Sequence, residues 1–433
     1  MRLHKSCLKI NTTAPFAPDL RFVNSSSTVD CNPHSDIPFK IKPDVSVYPA
    51  GLDSNIVTDS ASAEIFIEFK WRPEDDPFSD VHDVQRTIDE DTVTVQSFLH
   101  ETKAADDTLG QITSYVAAQL GSQFRTHVYS VLIMKKTARI LRWDRTGTIV
   151  TEAIDYNQSP HLVEFFHRYS RASSAMRGVD QSVSNPTPAE AAAARKSLEL
   201  DDTIPLAKLE IPKPGCASNY FVTSTPRATP YTPPGRATRV FPAYDIARKR
   251  VVLLKDSWRV DLPDIQAEGI TYNTLMEAKV RNIPRCLASG DITTDEYHAT
   301  MTMNYTTAPW ACYTSAHFVP HQHYRLILDV IGRNLIKFVS SYEMVTAVRD
   351  ALVGEFLFSC REMTLIGFLA LMDAYWNASI LHRDFSPGNI IIVSNGHGLL
   401  IDWDLSKPLT MKLETPRRAT QTVCTIFASC DLS

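Results

Sequence analysis

The sequence predicts an α+β fold, on three observations. Residues 63–70 alternate, with Ile65, Ile67 and Phe69 on one face and Phe66, Glu68 and Lys70 on the other. That period of two marks a half-buried strand. Residues 390–401 read as a hairpin: Ile390 to Val393 go out, Ser394 to Gly398 turn, and Leu399 to Ile401 return. Between such strands lie stretches with helical spacing, among them residues 108–120 and 363–380. No internal repeat is visible.

Taken in order, residues 1–40 are rich in Ser, Thr, Asn and Pro and predict a loose arm. Residues 41–170 predict an α/β domain. Its strands fall at 45–48, 63–70, 127–135 and 138–144, and its helices at 108–120 and 160–170. Residues 171–214 turn to Ser, Ala and Pro and predict a linker with a short helix at 188–200. A second domain is expected over 215–433. Its strands fall at 239–245, 250–255 and 324–329, and its helices at 264–280, 345–353 and 363–380. Trp71, Trp143, Trp258 and Trp310 are expected to anchor cores.

Composition narrows the class. Of 433 residues, 44% are hydrophobic and 21% charged, as in a globular chain. The net charge of −5 gives no global reason for nucleic-acid binding. The eight cysteines form no Cys-x-x-Cys pair, which points to a reduced, intracellular setting rather than a disulfide or zinc framework. The first residues lack the apolar run of a signal peptide. No apolar stretch reaches the roughly 18 residues of a membrane span.

Residues 381–404 carry the chemistry. His382-Arg383-Asp384, then Asn389, then Asp402 stand at the spacing of a protein-kinase catalytic loop and its metal-binding aspartate. The hairpin explains the gap, because it delivers Asn389 and Asp402 to one place. Asp384 is then positioned to accept a substrate hydroxyl proton, and Asn389 and Asp402 to hold Mg²⁺ on ATP. Upstream, Lys255 ends the apolar run Val251-Val252-Leu253-Leu254, where a kinase lysine would hold the α- and β-phosphates. Glu268 is a candidate to orient it, with Glu277 as competitor. Tyr324 to Asp329 read as a strand entering a hinge, where backbone groups near Leu328 and Val330 would meet adenine.

Five segments together resemble the fungal-type protein kinase family. They are Lys255-Asp256-Ser257-Trp258-Arg259, Tyr324 to Asp329, Ala347 to Leu352, His382 to Asn389 and Leu400-Ile401-Asp402-Trp403-Asp404. The resemblance spans residues 40–425 and implies an α/β region ahead of a kinase-like N-lobe and C-lobe. It implies Asp384 as catalytic base, assisted by Arg383, with Asn389 and Asp402 as metal ligands and Lys255 as phosphate ligand. ATP, Mg²⁺ and a protein Ser/Thr substrate are the implied partners. Two departures stand beside it. The phosphate-covering region 223–238 has one glycine, Gly235, and four prolines, Pro226, Pro230, Pro233 and Pro234. Residues 417–422 begin like an activation segment and the tail 423–433 matches nothing expected, which predicts an incomplete C-lobe. A nucleotide-binding scaffold without transfer is the alternative reading.

The first domain has its own pattern. Pro43-Asp44, then Glu68-x-Lys70, then Gln111 and Tyr115 one helical turn apart resemble the restriction-endonuclease-like superfamily. The resemblance implies a divalent metal shared by Asp44 and Glu68, with Lys70 positioning water. Nucleic acid would be its partner, which the acidic net charge does not favour. His317, His321 and His323 lie close in sequence but lack an evident fourth ligand, so they are expected to flank a strand rather than bind zinc.

Overall fold

The computed structural model describes residues 16–30, 37, 39–80, 86–89, 92–95, 98–213, 215–226, 232–263, 265–311, 318–352, 369–409 and 426–427. His317, residues 227–231 and 363–368, the stretch 417–422 and all of 423–433 except 426–427 lie outside the described residues.

A mixed sheet forms first. It contains β1 (Leu20–Asn24), β2 (Val45–Pro49) and β3 (Ile65–Phe69). After a separate ribbon, β4 (Arg86–Asp89) with β5 (Thr92–Val95), it gains β6 (Val128–Ile133), β7 (Thr137–Trp143), β8 (Thr148–Val150) and β9 (Ile154–Asp155). The order is β1-β2-β3-β6-β7-β8, with β9 also on β7. Strands β3 and β6 run parallel, so the chain must cross over between them. Helix α1 (Lys103–Ser122) makes that crossover. It starts earlier than its apolar pattern predicts because Thr102 caps it, accepting from the Ala105 amide.

Strand alternation sorts the two faces. Ile65 and Ile67 pack with Phe166 and Tyr169 of helix α2 (His161–Arg171). Phe66 packs with Tyr115 of α1 on the other side. The sheet is thus a layer between two helices. Of the loose arm expected over 1–40, residues 16–30 depart from that expectation: Ala17 and Leu20 are buried, and β1 pairs antiparallel with β2, while residues 1–15, 31–36 and 38 lie outside the described residues. Its polar composition hid the pairing. Trp143 and Trp258 are buried as expected, whereas Trp71 is 51% exposed.

The second sheet is antiparallel throughout. Its strands are β10 (Val183–Ser184), β11 (Leu206–Ile211), β12 (Asn219–Ser224), β13 (Arg239–Asp245), β14 (Arg250–Val260), β15 (Cys286–Asp291) and β16 (His321–Leu328). Their order is β10-β11-β12-β13-β14-β16-β15. Residues 171–214 are therefore more than a connector. They add two strands to this sheet, and Ala207, Leu209 and Ile211 alternate into its core. Helix α3 (Pro188–Leu198), closed by a Thr187–Glu190 capping box, lies against Val222 and Tyr244 through Ala194.

Helix α4 (Glu268–Glu277) packs against this sheet. Beyond it come β17 (Arg333–Asn334), helices α5 (Ser341–Leu352) and α6 (Leu369–Ala378), and the small strands β18 (Ile380–Leu381), β19 (Ile390–Ile392), β20 (Gly398–Leu400) and β21 (Lys407–Pro408). Strands β19 and β20 form the expected hairpin. Tyr272, Leu275, Leu326, Ala347, Ala374, Ile390, Leu400 and Trp403 share one core. Gly398 allows the close approach of α5, since a Cβ there would sit 2.0 Å from the Ala347 carbonyl oxygen. Strand β22 (Ile426–Phe427) returns to pair with β8. Among the described residues no helix is long and apolar enough to cross a membrane.

A buried charge network backs the second sheet and reaches the end of α1. Arg325 has no exposed surface and donates to Asp180 and Asp256, each at 2.8 Å. Arg239 bonds Asp256 at 2.7 Å and the Gln123 carbonyl at 3.0 Å. Two guanidiniums thus balance two carboxylates, the condition under which buried charges are tolerated. His298 and His323 stack beside them, their Nδ1 atoms 2.9 Å apart, and His323 Nε2 is 2.7 Å from Asp256. Burial pushes His298 down to about 3, so it folds neutral.

A depressed histidine makes folding weaker in acid. Below pH 6.5 the unfolded chain takes up a proton that folded His298 refuses, so stability present above pH 6.5 is lost as pH falls toward 3. Replacing His298 by Gln removes that loss. In denaturant unfolding, the destabilisation of His298→Gln relative to the natural chain should shrink by roughly 1–2 kcal/mol between pH 7 and pH 5. An equal penalty at both pH values would contradict a neutral, buried His298.

Candidate functional site

Strand β14 delivers Lys255 to the centre of the molecule. Val252 and Leu254 point into one core, so the intervening register turns Lys255 to the opposite face, toward α4. Its ammonium is buried and meets three carboxylates: Glu268 at 2.7 Å, Asp402 at 2.6 Å and Asp404 at 3.6 Å. Glu268 is the first residue of α4, whereas Glu277, its competitor, is exposed at the far end. The other oxygen of Glu268 accepts the Trp403 amide at 3.0 Å. One glutamate therefore fixes both the lysine and the segment that follows the hairpin.

The hairpin sets the remaining positions. The Ile401 amide donates to the Asn389 carbonyl at 2.9 Å, closing the two ends of the ribbon together. Asn389 is buried, and its amide nitrogen donates to the Asp384 backbone carbonyl at 2.7 Å and to its carboxylate at 3.2 Å. His382 lies edge-on to Trp403. Its Nε2 contacts the Ile401 carbonyl at 3.0 Å, and its Nδ1 accepts the Asp384 amide at 3.3 Å. A carbonyl can only accept, so the proton is assigned to Nε2. Burial depresses this imidazole, keeping it neutral. Arg383 is exposed. Arg383 and Asp402 both hold left-handed backbone, with φ of 66° and 67°. Such strain in non-glycine residues persists where surrounding contacts over-determine it.

Leu328 is the last residue of β16, and Val330 follows it past Asp329. The Asp329 carboxylate holds the Arg285 side chain at 2.7 Å, pinning the strand exit.

Two residues at the site were not anticipated from the sequence. Asp404 is the second acid of Asp402-Trp403-Asp404. Arg236 comes from the proline-rich loop between β12 and β13, and its guanidinium pairs with Asp404. The Gly235-Arg236 dipeptide was the only available signal for it.

Electrostatics define what the site can hold. Burial works against the charge of Lys255, but Glu268, Asp404 and Asp402 outweigh it and hold the ammonium above the usual lysine range. Burial pushes Glu268 up to about 7, with Lys255 opposing and Asp404 and Asp402 adding to the rise. Burial also opposes the charge of Asp404, yet Lys255 and Arg236 lower it. The carboxyl groups of Glu268, Asp402 and Asp404 thus face the two cations Lys255 and Arg236. Donor oxygens of Glu268, Asp402 and Asp404 lie within 4.8 Å of one another. Asp404 Oδ1 is buried without a hydrogen-bond partner. An orphaned carboxylate oxygen in an all-oxygen donor set fits a hard cation such as Mg²⁺.

The first sheet brings its own five residues together. Lys70 donates to Glu68 at 2.8 Å and to the Gln111 side-chain oxygen. Tyr115 reaches Glu68 at 3.2 Å. Asp44 accepts the Phe69 amide at 2.9 Å. Burial raises Glu68, and Asp44 nearby raises it further. The separate group Asp180, His298 and His323 also has donor atoms in mutual reach. Asp180 is already engaged by Arg325 and His323 by Asp256, His298 meets Thr294 and His323, and His321 is not a member of the group.

The family described as fungal protein kinase matches the chain over residues 78–433. No curated protein matches it.

Removing Lys255 leaves three carboxylates crowded in a buried centre. Lys255→Met should cost about 3–5 kcal/mol in denaturant unfolding. Millimolar Mg²⁺ should restore more stability to this variant than it adds to the natural chain. A cost under about 1 kcal/mol would mean that the ion pairs do not hold the centre together.

Proposed function

The chain belongs to the fungal protein kinase family, and on that premise we propose that it transfers the γ-phosphoryl of ATP to a Ser or Thr hydroxyl of a protein. The observation that carries this reading is the convergence of Lys255, Glu268 and Asp402 from three separate elements onto one buried point. In the proposed reaction the substrate oxygen bonds to the γ-phosphorus, the bond to the β-bridging oxygen breaks, and ADP leaves. Asp384 takes the hydroxyl proton. Asn389 holds the Asp384 carboxylate in place through its amide. Lys255 holds the phosphates, and Glu268 keeps its ammonium aimed. Arg383 supports the backbone turn that presents Asp384. Backbone groups at Leu328 and Val330 meet the adenine. Mg²⁺, held by Asp402 and Asn389 with Asp404 near, supplies charge neutralisation for the phosphate oxygens when bound.

The test is transfer of labelled γ-phosphate from Mg²⁺-ATP to a mixed protein substrate. Asp384→Ala should lower transfer by at least about 10³-fold, within the range given for acid–base groups. It should leave ADP affinity within about threefold. Nucleotide binding with no transfer by the natural chain would support a scaffold role instead.

A specific observation favours a second activity in the first sheet. Asp44, Glu68, Lys70, Gln111 and Tyr115, far apart in sequence, meet around one carboxylate. This supports metal-dependent phosphodiester hydrolysis, with Asp44 and Glu68 as metal ligands and Lys70 orienting water. Cleavage of single- or double-stranded DNA in Mg²⁺ or Mn²⁺ should then be lost in both Glu68→Ala and Lys70→Ala. Cleavage unchanged by both substitutions would sink this reading.

A further inference from the structure

The loop between β12 and β13 poses a problem for the reading above, and Arg236 answers it. A loop that covers phosphates ordinarily does so with backbone N–H groups, which glycine lets approach closely. Here Pro226, Pro233 and Pro234 have no N–H to offer. Gly235 adopts a φ of 105°, but its amide is already given to the Arg145 carbonyl at 2.8 Å. Among the described residues of this loop, Pro226, Pro233, Pro234 and Gly235 therefore offer no free backbone N–H to an anion.

The same contacts fix residues 233–236. Arg145, in the turn between β7 and β8, donates to the Pro233 carbonyl at 2.8 Å. The Trp258 amide of β14 donates to the Arg236 carbonyl at 2.7 Å. The backbone of Arg236 is therefore anchored from both sheets, and its side chain reaches inward to Asp404. That side chain is 27% exposed, so solvent and small solutes can reach it. Burial opposes its charge, and Asp404, Asp402 and Asp384 in turn outweigh that burial. Asp404 keeps one oxygen orphaned beside this pair.

We propose that Arg236 is a phosphate-binding residue of the nucleotide site, supplying from its guanidinium an anion contact where Pro233, Pro234 and Gly235 beside it have no free N–H to give. The planar guanidinium suits paired oxygens of a phosphate, just as it suits the Asp404 carboxylate it now holds. Asp404 keeps the guanidinium pre-placed until a phosphate offers a competing anion. This inference rests on the kinase reading, because it takes the centre around Lys255 as a nucleotide site.

The experiment is isothermal titration of the full chain with adenosine, ADP and ATP at fixed Mg²⁺, for the natural protein, Arg236→Ala and Arg236→Lys. Arg236→Ala should weaken ADP and ATP by about tenfold or more, the effect of one charge-assisted hydrogen bond. Adenosine, which has no phosphate, should bind within about twofold of the natural chain. Arg236→Lys should recover part of the loss by restoring the charge without the fork. Unchanged or tighter ADP binding by Arg236→Ala would overturn the proposal and make the arginine a plug. Equal weakening of adenosine and ADP would overturn it by making the role structural. A natural chain that binds none of the three would remove the kinase reading itself, and the role of Arg236 with it.

Discussion

The buried ammonium of Lys255 is the constraint on which the rest of the centre depends. An isolated charge in an apolar interior costs several kcal/mol, so it must be paired or neutralised. Pairing it fixes how elements that share one apolar core meet at a single point. Strand β14 brings the lysine, α4 brings Glu268, and the segment after β20 brings Asp402 and Asp404. Glu268 adds a bond to the Trp403 backbone, so the ion pair also sets the depth of that segment. The result is a cluster of oxygen donors around two cations, a set that suits a hard metal ion.

How much of this was readable from the sequence depends on range. His382 to Asp402 could be read because the hairpin is local, and a local ribbon fixes its own spacing. Lys255 could be read as a strand-ending lysine, but not its choice of Glu268 over Glu277. That choice is made by α4 beginning at Glu268 and packing on β15, a tertiary matter. Arg236 was hidden because no spacing rule links it to Asp404 across more than 160 residues. Composition misled in two places. The Ser- and Pro-rich stretches before 41 and within 171–214 suggested loose chain, yet each contributes strands whose alternation is short and flanked by polar residues.

The two sheets are also mechanically linked. The β7–β8 turn holds Pro233 and Gly235 through Arg145, while the neighbouring Asp144 carboxylate accepts the amides of Met301 and Thr302 at 3.0 and 2.9 Å. Arg325 ties β16 to Asp180 ahead of β10, and Arg239 of β13 reaches the Gln123 carbonyl at the end of α1. These contacts are buried, where a hydrogen bond counts for more than in water. Residues 233–236 therefore take their position from both sheets, and the turn between β7 and β8 forms part of the frame around the Lys255 centre.

The most direct test of the central claim is the metal dependence of ADP binding to the full chain, measured by calorimetry with and without Mg²⁺, and repeated for Asp402→Asn. The account predicts one site per chain, at least about tenfold tighter with Mg²⁺, with that gain abolished by Asp402→Asn. ADP binding that ignores both Mg²⁺ and the substitution, or no binding at all, would contradict the assignment of the Lys255 centre as a metal–nucleotide site.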